Sequence, residues 1–245
     1  MEIRHLENPP LISCSLILDL KPERRISKRE YTEFAKKHGA QFKIFGKRTV
    51  KVVDNEDERI EHVIEDRAAG VSFFVQDDVE LIVSPLRIEC RISKAYTKWE
   101  NFISLARMSC KEGLDFVNPE RVVGVTVLSV NKIEISQNSV KLSDLIKSTP
   151  VDIEGDIGIC VDMKYRDTQY YKTFSAFATV TKEYQRQKGQ QPALYFSTEV
   201  FKVLNGEKEC SIDEVDFEIL RNLKNRLFFD TLTDNLLEKY ICKSS

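Results

Sequence analysis

One order of hydrophobic periodicities runs along this chain twice, and that constrains the fold more than any other feature. Residues 10–118 read strand, helix, three strands, long helix; residues 121–241 read strand, short helix, three strands, long helix. Alternation with period two marks the strands, and recurrence at i, i+3, i+4 and i+7 marks amphipathic helices. Helices of that kind bury their apolar stripe against one face of an antiparallel sheet. The expected class is therefore α+β, with two similar strand-helix-three strands-helix units spanning 1–118 and 119–245. No residue-level identity links the halves, so the expectation is a repeat of architecture.

Two arrangements satisfy that order. One is a helix-grip, in which a curved sheet holds a long helix. The other sets two units side by side in the TATA-binding-protein-like manner.

In the first unit, Ile12, Cys14, Leu16, Leu18 and Leu20 alternate with Ser13, Ser15, Ile17 and Asp19, a half-buried strand. Ser27 and Glu30 have capping-box spacing and Gly39 supplies a stop, predicting a helix that carries Tyr31 and Phe34. Strands follow over 42–53, with a bulge or bend at Gly46, over 69–75 and over 79–92, the last two joined by a turn at Gln76-Asp77-Asp78. The apolar parity of 79–92 switches at Ser84-Pro85, which assigns that strand an edge position or a bulge. Thr97 and Glu100 open the long helix and Gly113 closes it. Trp99, Phe102, Ile103, Ala106 and Cys110 share one face of that helix. Trp99 is expected in the core, because an indole contributes mostly apolar area.

The second unit reads as a strand over 121–135, a short helix or turn over 141–147, and strands over 156–165, 171–181 and 193–204. Residues 182–192 read as a polar hairpin loop. Ser211 and Glu214 open a helix predicted to run to about Tyr240, with Val215, Ile219, Leu223 and Leu227 on its buried stripe.

Lys and Arg number 37 against 39 Asp and Glu, so the whole chain exerts no strong pull on nucleic acid or an anionic membrane. No apolar run approaches a spanning length and the opening MEIRHLENPP has no apolar signal region, so the cytoplasm is the expected compartment. The six cysteines are scattered without CxxC spacing and read as buried free thiols. Neither GxxxxGK[ST], GxSxG, HExxH nor GxGxxG occurs. No catalytic residue, metal or cofactor is expected.

Three sets of residues are candidates for chemistry. Asp152, Asp156, Asp162 and Lys164 resemble the acidic-x-Lys end of a metal-dependent nuclease, and equally the solvated face of a strand. The second reading is preferred, because the surrounding element order differs from that nuclease core. Lys43, Lys47 and Lys51 on one strand face, with Arg48 beside them and Arg24 and Arg25 in the preceding loop, form a candidate nucleic-acid patch. Tyr165, Tyr170 and Tyr171 near Arg166 offer it a stacking surface, and the acidic run 54–66 offers it neutralisation. Phe174, Phe177, Phe196 and Phe201 are candidates to line a ligand pocket between helix and sheet.

Three further motifs carry a resemblance: Pro9-Pro10 ahead of Leu11; Tyr96, Trp99, Glu100 and Phe102 ahead of the strand with Gly124, Asn131 and Ile133; and Phe229, Thr233, Asp234 and Leu236 near the end. In that order they resemble a family of sporadically distributed, functionally uncharacterised bacterial proteins of about this length. Many members have a tyrosine just before the asparagine, where Val130 stands here. The family's scattered occurrence implies a mobile-element, defence or toxin–antitoxin context, and it transfers no catalytic residue. The combined expectation is a non-enzymatic interaction or scaffold protein that self-associates or binds a protein partner. A small-molecule-binding helix-grip module and a nucleic-acid-binding protein using the basic strand are the alternatives.

Overall fold

The computed structural model describes residues 10–38, 41–55, 58–93, 98–135, 145–147, 162–185, 193–204, 212 and 215–238. For 47–55, 58–68, 162 and 163 the description extends to the backbone alone. In chain order the elements are β1 (Leu11–Lys21), α1 (Lys28–His38), β2 (Phe42–Asn55), β3 (Glu58–Gln76), β4 (Val79–Val83), β5 (Arg87–Ile92), α2 (Trp99–Val117), β6 (Arg121–Glu134), β7 (Asp162–Tyr171), β8 (Ala176–Gln185), β9 (Ala193–Val203), α3 (Phe217–Thr231) and α4 (Asp234–Leu237). The strands form one antiparallel sheet in the order β2-β3-β4-β5-β1-β6-β9-β8-β7. The fold is α+β, and the strands of the two sequence halves meet where β1 pairs with β6.

Three helices cover one face of this sheet. Tyr31, Phe34 and Ala35 of α1, Trp99, Phe102, Ala106 and Cys110 of α2, and Leu220, Leu223 and Leu227 of α3 share one buried cluster. The strands contribute Leu16 and Leu18, Val71 and Phe73, Ile88 and Cys90, Val125 and Val127, and Val200 to the same cluster. Trp99 is 3% exposed, as its place on the apolar stripe predicts. The guanidinium of Arg221 and the ammonium of Lys224, both from α3, lie 5.8 and 5.9 Å from its ring centroid, so the indole joins α2 to α3. A smaller cluster of Ile133, Tyr184, Leu194, Leu232, Leu236 and Leu237 sits beside α4.

Several local expectations hold. Ser27 and Glu30 make the reciprocal capping bonds, Glu30 Oε2 accepting from the Ser27 amide at 2.8 Å and the Glu30 amide donating to Ser27 Oγ at 3.3 Å. The β2–β3 register shifts between Phe45 and Gly46, and Asp77-Asp78 turns β3 into β4.

The capping bonds, with the neighbouring Arg24, pull the Glu30 carboxyl down to about 2. A carboxyl lowered on folding stabilises above its ordinary range, and that contribution fades as pH falls through the folded value. Glu30→Ala should therefore lower the Tm near neutral pH, and the gap to the unmodified protein should shrink towards about pH 2 in thermal melts.

Elsewhere the structure corrects the sequence reading. Residues 79–92 are two strands, β4 and β5, because Ser84 to Leu86 turn the chain back; the Ser84 amide donates to the Arg87 carbonyl at 2.8 Å. The parity switch is thus the signature of a hairpin. Gly113 does not end α2, which continues to Val117 and closes on Asn118 in the left-handed region (φ 47°). A Cβ at Gly113 would lie 3.1 Å from Ile88 Cγ2, so the glycine admits close helix–sheet contact. The α2 N-cap position falls on Lys98, without a side-chain cap; Thr97 lies outside the described residues, as does Gly39.

The last helix begins later than expected, with Asp216 Oδ1 accepting from the Glu218 amide, and Ser211 and Glu214 lie outside the described residues. It stops at Thr231, where Leu232 turns extended to bridge Ile146 and Thr233 caps the separate α4. The strand expected over 156–165 continues past Tyr165 to Tyr171, β7 being described over Asp162–Tyr171, and 151–161 lie outside the described residues. A 3₁₀ turn at Lys172–Phe174 separates β7 from β8. The loop expected from 182 yields its first four residues to β8.

Cys14, Cys90 and Cys110 are buried free thiols; Cys160, Cys210 and Cys242 lie outside the described residues. Burial pushes the Cys14 thiol up to about 12 and Cys90 up to about 11. Thiolate is the reactive form, so a maleimide at about pH 8 should spare these three in the folded protein and modify them in denaturant. Rapid native labelling, read by mass spectrometry, would mean that the helix–sheet interface opens.

Candidate functional site: the helix-free face of the sheet

Side chains alternate across a sheet, so residues between the core-facing positions point away from α1, α2 and α3, onto a face that no helix covers among the described residues. Cross-strand register extends that second face over the sheet. Ser15, Ile17 and Asp19 of β1 stand opposite Arg91, Glu89 and Arg87 of β5 on one side, and opposite Leu128, Thr126 and Gly124 of β6 on the other. From β6 the face continues through Glu199 and Phe201 of β9 to Thr179 and Phe177 of β8, and then to Thr168 and Tyr170 of β7. Towards the other end it runs through Glu80 and Ile82 of β4 and Phe74 and Ser72 of β3 to Lys43 of β2.

The chemistry of this face is not that of an ordinary solvated surface. Large apolar side chains stand open on it at both ends: Phe74 is 52% exposed at one, and Tyr170 (56%), Phe177 (42%) and Val203 (41%) gather at the other. The rings of Tyr170 and Phe177 are 4.9 Å apart. Phe201, the register partner of Phe177, lays its ring over Gly124, where a Cβ would collide with it. Gly70 and Phe45 repeat that contact near the opposite end.

Between the apolar ends, cations and carboxylates alternate in contact. Arg87 reaches Asp19 at 2.7 Å, Arg91 reaches Glu89 at 2.8 Å, Lys132 meets Glu134 at 2.9 Å, Lys164 meets Glu183 at 3.0 Å, and Arg166 approaches Glu199 at 3.7 Å. Near the centre, Glu89 is 9% exposed and accepts from both Ser15 Oγ and Arg91 Nε at 2.9 Å. The Lys164 ammonium holds the Glu183 carboxyl below its ordinary range. A face so closed on itself presents little net charge.

The candidate residues separate on this frame. Phe177 and Phe201 lie on the helix-free face. Phe196 is fully buried on the other, edge to face with Phe228 at 5.8 Å, and Phe174 packs against the main core. The four phenylalanines thus line no common pocket. Arg24, which bonds Glu30 at 2.6 Å and the Phe116 carbonyl at 3.4 Å, belongs to the helix layer with exposed Arg25, while exposed Lys43 lies on the helix-free face. Lys47, Arg48 and Lys51 have backbone register partners Arg67, Asp66 and His62; their side chains lie outside the described residues. The acidic run therefore pairs along the basic strand.

Tyr170 faces the helix-free side with Arg166, and Tyr165 and Tyr171 face the helices. Asp152 and Asp156 lie outside the described residues, and Lys164 is engaged by Glu183. Among the described residues, no three His, Cys, Asp or Glu side chains gather as metal ligands would, and no helix is long and apolar enough to cross a membrane. Phe74 and Val203 escaped the sequence reading. Their signal was an apolar residue out of phase in a strand already carrying an apolar face.

No family model, no curated protein and no solved structure matches this chain.

Proposed function

We propose that this is a non-enzymatic interaction or scaffold protein whose docking surface is the helix-free sheet face, and that a second copy of the chain is its occupant. The observation that carries this reading is the exposure of Phe74, Tyr170, Phe177 and Val203 on one otherwise charge-balanced face. Exposed apolar clusters rimmed by polar groups, such as Tyr170 with Phe177, mark association surfaces. The mutual neutralisation of Arg87, Arg91, Lys132, Lys164 and Arg166 favours a protein over a nucleic acid, whose binding draws on cations available to phosphate. Charge balance also lets two identical faces approach without repulsion. A two-fold axis near the β1–β6 pair lays the Phe74 end of one copy over the Tyr170–Phe177 end of the other, as isologous contact requires.

The architectural part of the proposal is a duplicated, TATA-binding-protein-like unit. Its support is the strand order, which reads outward from β1 as β5, β4, β3, β2 and outward from β6 as β9, β8, β7. The family resemblance adds a bacterial mobile-element or defence context. Hydroxyl-radical footprinting of dilute and concentrated protein tests the surface. Tyr170, Phe177 and Phe74 should become protected with concentration while Met108, 57% exposed on α2, does not. Equal oxidation of all four at both concentrations contradicts the assignment.

A further inference from the structure

A cavity of about 440 Å³ opens on the helix side of the sheet, between α3 and the β7–β8 pair. Its size falls within the range of small-molecule sites. Tyr165, Asp167, Gln169 and Tyr171 alternate along β7 and so line it in one row, about 20 Å long at the rise of a strand. Both tyrosines are half-buried. Arg226 and Asp230, one turn apart on α3, form the opposite wall.

The polar groups of each wall hold one another in place. The Tyr171 hydroxyl donates to Gln169 Oε1 at 3.4 Å, and Gln169 Nε2 donates to Asp167 Oδ2 at 2.7 Å. On the helix, Arg226 Nε donates to Asp230 Oδ2 at 3.3 Å. The second oxygen of each carboxylate and both terminal nitrogens of Arg226 make no hydrogen bond among the described residues.

The lining carries two carboxylates, Asp167 and Asp230, and two cations, Arg226 and Lys182, so it favours neither an anion nor a cation. Open acceptors beside open donors suit a group that donates and accepts at once, and the hydroxyl is such a group. Tyrosine rings add apolar faces, against which the C–H side of a sugar ring can pack. We propose that this cavity binds a neutral saccharide, its hydroxyls on Asp167, Arg226 and Asp230 and its C–H faces against Tyr165 and Tyr171. The site lies on the opposite side of the sheet from the docking face, so it stands or falls independently of the interaction reading.

The test is a ligand-observed NMR titration of the whole protein with glucose, galactose, mannose, maltose, cellobiose and lactose. Cyclohexanol, a ring with a single hydroxyl, and adenosine, a planar base on a sugar, are the counterparts. At least one saccharide should bind, with both counterparts weaker by about tenfold or more, the scale of a hydrogen bond to a charged group. Asp230→Ala should weaken saccharide binding by about the same tenfold factor. Lys111→Ala, at an exposed position of α2, should leave it unchanged.

Nitration of the unmodified protein with tetranitromethane, read by peptide mass spectrometry, provides a second readout. The bound saccharide should slow modification of Tyr165 and Tyr171 and not of Tyr170, which stands on the other face of the same strand. Cyclohexanol or adenosine binding as tightly as the best saccharide, unchanged affinity in folded Asp230→Ala, equal nitration of Tyr165 and Tyr171 with and without saccharide, or no saccharide binding below about 10 mM overturns the proposal.

Discussion

Trp99→Ala should destabilise the protein by about 3–5 kcal/mol, the usual cost of emptying a large aromatic site in a core. Trp99 is 3% exposed, its ring lies 5.4 Å from that of Phe102, and two cations of α3 rest over it. Truncation therefore leaves a cavity at the start of α2 and takes the aromatic face away from Lys224, whose ammonium burial already pushes below its ordinary range. Denaturant unfolding measures the effect. Trp99→Phe should retain a large part of the lost stability, because a ring still occupies the site. A near-neutral Trp99→Ala would mean that the indole does not join α2 to α3.

The second large effect is expected on association. Tyr170→Asp combined with Phe177→Asp places two carboxylates on the open apolar end of the docking face. That end packs on the Phe74 end of the second copy in the proposed dimer, so the dissociation constant should rise by about 100-fold or more, the scale of losing hot-spot residues. Both side chains are largely exposed, so stability should move by no more than about 1 kcal/mol. Met108→Asp, on the outer surface of α2, is the matched control and should leave association unchanged. Loss of association with intact folding isolates the surface. Equal behaviour of double variant and control removes Tyr170 and Phe177 from it.

Much of the fold was legible because it depends on local chemistry. The Ser27–Glu30 pair, the shift at Gly46 and the strand of 121–134 are written in residues close in sequence. The errors arose where a local signal has two physical meanings. Proline after serine with a parity switch is a bulge in one context and a hairpin in another, and here the chain reverses at Ser84-Pro85-Leu86. A glycine near a helix end is a stop or a contact; Gly113 is a contact with Ile88. Thr233 caps a new helix within what periodicity alone reads as one.

The candidate site was less legible than the fold. Period two tells that Phe177 and Phe201 oppose Phe196 across the sheet, yet not which face the helices cover; that depends on α1, α2 and α3 docking together. The charge pairing of Lys164 with Glu183 needs the register of β7 on β8. Lys182 is in phase with Ala178, Val180 and Tyr184, but the assignment of 182–192 to a loop concealed its place in β8.

Sedimentation equilibrium of the unmodified protein from micromolar to hundreds of micromolar concentration tests the central claim most directly. The account predicts a reversible rise in mass from the 28.4 kDa of one chain towards twice that value as concentration increases. A single 28.4 kDa species throughout would contradict self-association through the helix-free face.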